Sequence, residues 1–248
     1  MNSVLVLWLR DLKRYTRARS RFFGSIAMPF FFLAFFSLGF RRASFPSLEI
    51  EYLDFLAPGI VSMVLIFSGT LSGVSIVWDR QFGFLREIMV APVSRTAIVL
   101  GRTLGGATIA TLQALILLAL SHFFGFRISL DSLLIALLAI FLLSLICTVT
   151  GIAISSVIGD IHGFQLVINF FVFPIFFLSG AIFPIAELPE IIATLAKLSP
   201  FTYGVDAVRW AMTSFAAFNP VLDFTIVLSY FIAVLFLSAF LFSRTEVR

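Results

Sequence analysis

The stretch LSGAIFPIAELPEIIATLAKLSPFTYGVDAVR, Leu178 to Arg209, decides the fold of this chain. It is too apolar for a solvated loop. Pro184, Pro189 and Pro200 also break it too often for one spanning helix, because proline lacks the N–H that a helix interior needs. Apolar runs long enough to cross a bilayer flank it on both sides, Phe164 to Phe183 and Phe224 to Phe242. A segment of that kind between two spans belongs at a membrane face.

Outward from this block the composition agrees. Of the 248 residues, 60% are hydrophobic, only 12% are charged and 32 are Phe, so the chain is read as an integral membrane protein. A bilayer core of about 30 Å asks for about 20 apolar residues per helix. Such runs cover Phe22 to Phe40, Phe55 to Trp78, Thr103 to Phe124 and Ser132 to Ile158, besides the two already named. None alternates with a period of two, which excludes the strands of a transmembrane barrel. The expected fold is all-α, with six transmembrane helices. A single cysteine, Cys147, leaves no disulfide framework and no CxxC motif. The polar and basic opening residues precede no small-residue cleavage site, so a removable signal peptide is not expected.

Charge sets the expected orientation. The N-terminal segment, the Asp79 to Arg102 loop, the Gly159 to Gly163 turn and the C-terminal tail hold all but five of the 17 Lys and Arg. The five are Arg41, Arg42, Arg127, Lys197 and Arg209. By the positive-inside rule both termini are cytoplasmic, in a cell (plasma or inner) membrane, and the quoted block opens on the outer face. No Asp, Glu, Lys or Arg is expected well inside any span, which argues against an ion-coupled carrier. The polar groups within the spans are Ser, Thr, Gln113, Gln165 and Asn169. Gly69 and Gly73 form a GxxxG pair suited to close helix packing, within the chain or between chains.

Two segments stand out on the cytoplasmic side. Residues 1–21 form an amphipathic helix with Arg10, Arg14, Arg17 and Arg21 on one face and Leu5, Trp8, Leu9 and Leu12 opposite, Arg19 being the exception. It is expected to lie in the interface, held to anionic lipid or against a cytoplasmic partner. The loop WDRQFGFLREIMVAPVSRTAIVLGR, Trp78 to Arg102, holds a second amphipathic helix. Gly83 ends the preceding span, Phe84, Leu85 and Ile88 make an apolar face, Arg86 and Glu87 face water, Pro92 stops the helix and Ser94 caps the next. Its exposed Phe and Leu either meet a partner or dip into lipid.

The chain has no GxxxxGK[ST] loop, and its two lysines are Lys13 and Lys197, so the Walker route to ATP hydrolysis is closed to it. His122 and His162 fall on opposite sides of the membrane, and no catalytic or metal-ligating set assembles around either. A polytopic membrane enzyme is the alternative from another class, and it lacks a recognisable nucleophile.

The loop DRQFGFLREIMVAPVSRTAIVLGRTLGG and the block Leu178 to Arg209 resemble the two most recognisable stretches of the ABC-2 type permeases, the transmembrane subunits of ATP-driven exporters. The resemblance extends over 1–248 as a single transmembrane domain, with an interface helix at 1–21, a coupling loop at 79–102 and outer re-entrant hairpins at 184–221. It implies a non-enzymatic subunit that pairs with a second permease chain as a homodimer and with two copies of a separate ATP-binding subunit. That subunit carries the ATP and Mg; this chain binds no cofactor. The partners are these proteins and membrane lipids, with no nucleic acid.

By the same resemblance Phe84, Leu85, Arg86, Glu87, Ile88 and Met89 are the coupling helix, and the Arg10, Arg14 and Arg17 helix rests against the ATPase. The re-entrant helices run from about Ala186 to Leu198 and from Phe201 to Phe215. Phe183, Pro184, Pro189, Pro200, Tyr203, Asp206 and Arg209 make the outer gate. Gln165, Asn169 and Phe173 line the translocation path. Asp206 and Arg209, one helical turn apart, are an ion pair or a substrate contact. The implied cargo is a drug, lipid or lipid-linked glycan, as in daunorubicin-resistance and nodulation-factor exporters; polysaccharide or teichoic-acid export is the alternative within the family.

Overall fold

The computed structural model describes residues 3–39, 48, 50–83 and 93–244. Every regular element among them is helical. Helix α1 (Ser3–Arg17) ends before α2 (Arg19–Gly39) at Ala18, so Arg19 and Arg21 belong to α2 rather than to the interface helix. Helices α3 (Tyr52–Leu71) and α4 (Val74–Gln81) form one 30-residue span, separated only by a turn at Ser72 and Gly73. Then come α5 (Arg95–Ser121), α6 (Leu133–Val157), α7 (Ile161–Val167), a π turn at Ile168–Val172 and α8 (Phe173–Leu178). Helices α9 (Glu190–Leu198), α10 (Pro200–Thr213) and α11 (Pro220–Arg244) complete the set.

Among the described residues five segments are long and apolar enough to cross a membrane: Tyr52–Gln81, Arg95–Phe124, Leu133–Val157, Ile161–Leu178 and Pro220–Phe242. In α2 the described apolar part, Phe23–Gly39, is shorter than these, and at 1.5 Å per residue its reach is about 26 Å. The span expected to run to Phe183 stops at Leu178, where Ser179 turns its hydroxyl back onto the Phe176 carbonyl and Gly180 takes the left-handed conformation at φ 74°. Gly83, at φ 79°, ends the α3–α4 span as expected. Ser94 caps α5 by accepting from the Ala97 amide at 3.3 Å. The loop helix Phe84 to Met89 lies outside the described residues.

The centre of the bundle is α3 against α6, and small residues set the spacing. A Cβ at Gly73 would run into the Gly151 carbonyl, one at Gly151 into the Thr70 carbonyl, and one at Gly69 into Cys147. The GxxxG pair therefore packs two helices of this one chain. Around them α5, α10 and α11 complete a core that includes Leu56, Ile60, Leu143, Ile146 and Val205.

The apolar runs themselves hold no charge, but the helices that bear Asp79, Arg102 and Asp223 extend past those runs and carry them into burial, as α10 carries Arg209, each at 5% exposure or less. Apolar run length marks where a helix is greasy, while burial of a charge depends on whether a partner or donor stands opposite.

Candidate functional site

Two clusters of buried charge lie toward opposite ends of the bundle, with a cavity in the membrane-spanning part. The first belongs to the block that follows α8. Pro200 opens α10 at a position where a missing N–H costs nothing, and the helix runs buried among α3, α6 and α11. Helix α9, opened by Pro189, keeps Ile191, Leu195 and Leu198 exposed. Asp206 and Arg209 face inward. The Arg209 guanidinium donates to the Gly180 carbonyl at 2.7 Å and the Phe55 carbonyl at 3.4 Å, and lies 3.6 Å from Asp206. Asp206 in turn accepts from the amides of Ala217 and Phe218 at 2.8 to 3.0 Å.

The pair is thus local, as its spacing suggested, but it also ties α10 to α3, to the Gly180 turn and to the 217–218 segment. Tyr203 donates to the Lys197 carbonyl at 2.7 Å, closing α9 onto α10. Phe183 is exposed and makes no part of this cluster, while Pro184 precedes the 3-10 turn at Ile185–Glu187. Sequence reasoning missed Phe55 and Asp223. The Asp223 carboxylate is fully buried beside that of Asp206, and neither of its oxygens meets a hydrogen-bond donor.

The cavity, about 480 Å³, is walled by α2, α3, α5 and the Ile161–Leu178 segment. Its lining is mostly apolar, including Met28, Met63, Phe67 and Phe173, with Tyr15, Ser25, Gln113 and Gln165 as polar points. Gln113 Nε2 donates to Ser25 Oγ at 2.8 Å and to the Tyr15 hydroxyl. Of the three residues expected on a path, Gln165 and Phe173 line this cavity. Asn169 instead accepts from Gln165 at 3.3 Å on an exposed face, inside the π turn. π turns of this sort widen a helix locally and recur at functional sites.

The second cluster gathers at the end bearing α1, Gly83 and Val93. Helix α1 packs along α5, where Gly101 and Gly105 let it approach closely. Trp8 Nε1 donates to Thr108 at 3.0 Å. Its arginine face is not simply solvated: Arg10 bonds Asp79 at 2.8 Å, and Arg14 approaches Asp79 at 3.8 Å and lies over the Trp78 ring. Arg17 is exposed. Arg102, at 3% exposure, bonds Asp79 and reaches Asp11 at 3.4 Å. Burial pushes the Asp11 carboxyl above its usual range, while Arg102 and Arg10 pull it back. The spacing of the arginines marked an amphipathic helix, but nothing in it identified Asp79 as their counter-ion.

Among the described residues no group of His, Cys, Asp and Glu could hold a metal. Asp160 caps α7 by accepting from the Gly163 amide at 2.7 Å.

These features meet known relatives. The family model described as ABC-2 type transporter matches residues 2–213. The chain is 31% identical over 174 residues to the putative transport permease ycf38 of Pyropia yezoensis, covering 68% of this chain and 58% of that protein. It is 27% identical over 220 residues to nodulation protein J of Sinorhizobium fredii, covering 84% and 80%. It is 24% identical over 239 residues to the inner membrane transport permease YadH of Escherichia coli K12, covering 94% and 90%. The matched region spans less than two thirds of the ycf38 relatives' length. With a family match across most of its length and a bundle of long apolar helices, this multi-pass membrane protein belongs to the ABC-2 type transporter family.

Proposed function

We propose that this chain is the permease subunit of an ATP-driven exporter and that it moves an amphipathic or hydrophobic molecule (a drug, a lipid or a lipid-linked glycan) between two permease copies. A separate ATP-binding subunit, present in two copies, supplies the energy. The observation that carries the reading is the uncharged cavity between α2, α3, α5 and the Ile161–Leu178 segment, which offers apolar surface with a few hydrogen-bonding points and no fixed charge. The relatives, transport permeases and a nodulation protein by name, support export by a member of this family. In this reading α2 is a sixth span, both termini are cytoplasmic, and α9 and α10 re-enter from the outer side to close the exit. Phe84 to Met89 dock on the ATPase.

Co-purification tests the reading first: the wild-type chain should bring down an ATP-binding protein of one large domain, roughly 30 kDa. Inverted vesicles holding the complex should then accumulate a candidate drug, lipid or glycan only with ATP. A chain that binds no ATPase and shows a catalytic activity alone would sink the proposal in favour of a membrane enzyme.

A further inference from the structure

The end of α4, just before the 84–92 loop, is tied in three directions by two consecutive residues. Asp79 receives Arg10 and Arg14 from α1 and Arg102 from α5. Arg102 also reaches Ser75 at 3.4 Å and Asp11, so α1, α4 and α5 share one network. Arg80 turns the other way, about 100° around the helix, and donates to the carbonyls of Ser155, Ser156 and Ile158 at 3.2 to 3.4 Å. Those carbonyls lie at the C-terminal end of α6, where a helix leaves its last acceptors open. On the far side of the loop, Val93 packs against an apolar cluster of Ile76, Ile98 and Ile152.

We propose that Asp79 is a positioning residue for coupling: it makes the segment that precedes the loop move as one body with α1 and α5. This rests on the reading that the loop engages an ATPase. Helix α1 does not need Asp79 to stay on α5. The Trp8–Thr108 and Tyr15–Gln113 bonds and the close approach at Gly101 and Gly105 already seat it. What Asp79 adds is the link from that seated pair to the loop's flank. A buried ionic network is an expensive way to hold helices together compared with apolar packing. Its gain is a directional joint, one that resists sliding between α4 and α1. Three arginines against Asp79 and Asp11 leave the network with a net positive charge, so neutralising Asp79 removes its main counter-charge rather than one contact among many.

The test uses the complex of the permease with its co-purifying ATP-binding protein, in vesicles of phosphatidylethanolamine and phosphatidylglycerol. Lys13→Cys, on the exposed face of α1, is labelled with a maleimide with and without ATP and vanadate. In the otherwise wild-type complex the labelling rate should change by about threefold or more on trapping. Asp79→Asn should abolish that change while co-purification and thermal unfolding stay near wild type, and Asp79→Glu should restore it. An Asp79→Asn complex that keeps the full response overturns the proposal. So does one whose response falls only in step with assembly and is not rescued by Glu. If Asp79→Asn fails to fold, Arg10→Gln at the exposed rim decides: a diminished response supports the proposal and an unchanged one overturns it. Failure of the wild-type chain to bind any ATPase instead sinks the exporter reading and is seen at the first step.

Discussion

The guanidinium carbon of Arg209 lies over the ring of Phe55, 3.8 Å from its centroid, although the two residues are 154 positions apart in the sequence. A cation held this way, with two backbone carbonyls and Asp206 as its other partners, joins the start of α3 to the broken block after α8. Arg209→Ala should therefore cost about 3–5 kcal/mol, because it leaves Asp206 without its cation and two carbonyls without donors. Arg209→Lys should recover part of this, since a point charge lacks the planar fork and stacks poorly. Thermal unfolding in detergent checks both; an Arg209→Ala protein as stable as wild type would refute the account.

Asp206 and Asp223 should respond oppositely to the same change. Asp206 accepts two backbone amides and faces Arg209, so Asp206→Asn should destabilise by about 1–3 kcal/mol. Asp223 has no donor and sits beside a like charge, so Asp223→Asn, which can donate to Asp206, should be neutral or stabilising. Equal losses from the two variants, measured in the same unfolding assay, would contradict the described arrangement.

Gly73→Ala tests the packing of α3–α4 on α6. The added methyl meets the Gly151 carbonyl, a backbone atom that cannot swing aside, and about 1–3 kcal/mol should be lost. Gly24→Ala, at a position with open space around it, serves as the control and should change little.

Phe84→Asp with Leu85→Asp should abolish ATP-dependent transport in inverted vesicles while the protein remains folded in the membrane. If this segment docks on the ATPase as proposed, the change puts charge where an apolar contact is needed. Full transport by the double variant would remove Phe84 to Met89 as the contact with the ATPase.

Labelling with a membrane-impermeant maleimide decides orientation. Cys147 is buried and should not react. Ser129→Cys, exposed between α5 and α6, should label from outside, and Thr96→Cys, exposed at the start of α5, only after the membrane is opened. The reverse pattern would invert the topology.

The sequence by itself determined the class of this protein, because run length and apolarity are local quantities and a bilayer tests each segment separately. The helical nature of the spans, the break at Gly83, the cap at Ser94 and the divided block from Leu178 to Arg209 were all legible in that way, as was the pairing of Asp206 with Arg209 one turn away. Only the tertiary structure decided which charges are buried and with whom. Arg10 meets Asp79 across 69 positions, and Arg209 meets Phe55 across 154. For Arg10, Asp79 and Arg209 the partner that offsets the loss of water is far away in sequence, and no local pattern of residues encodes it.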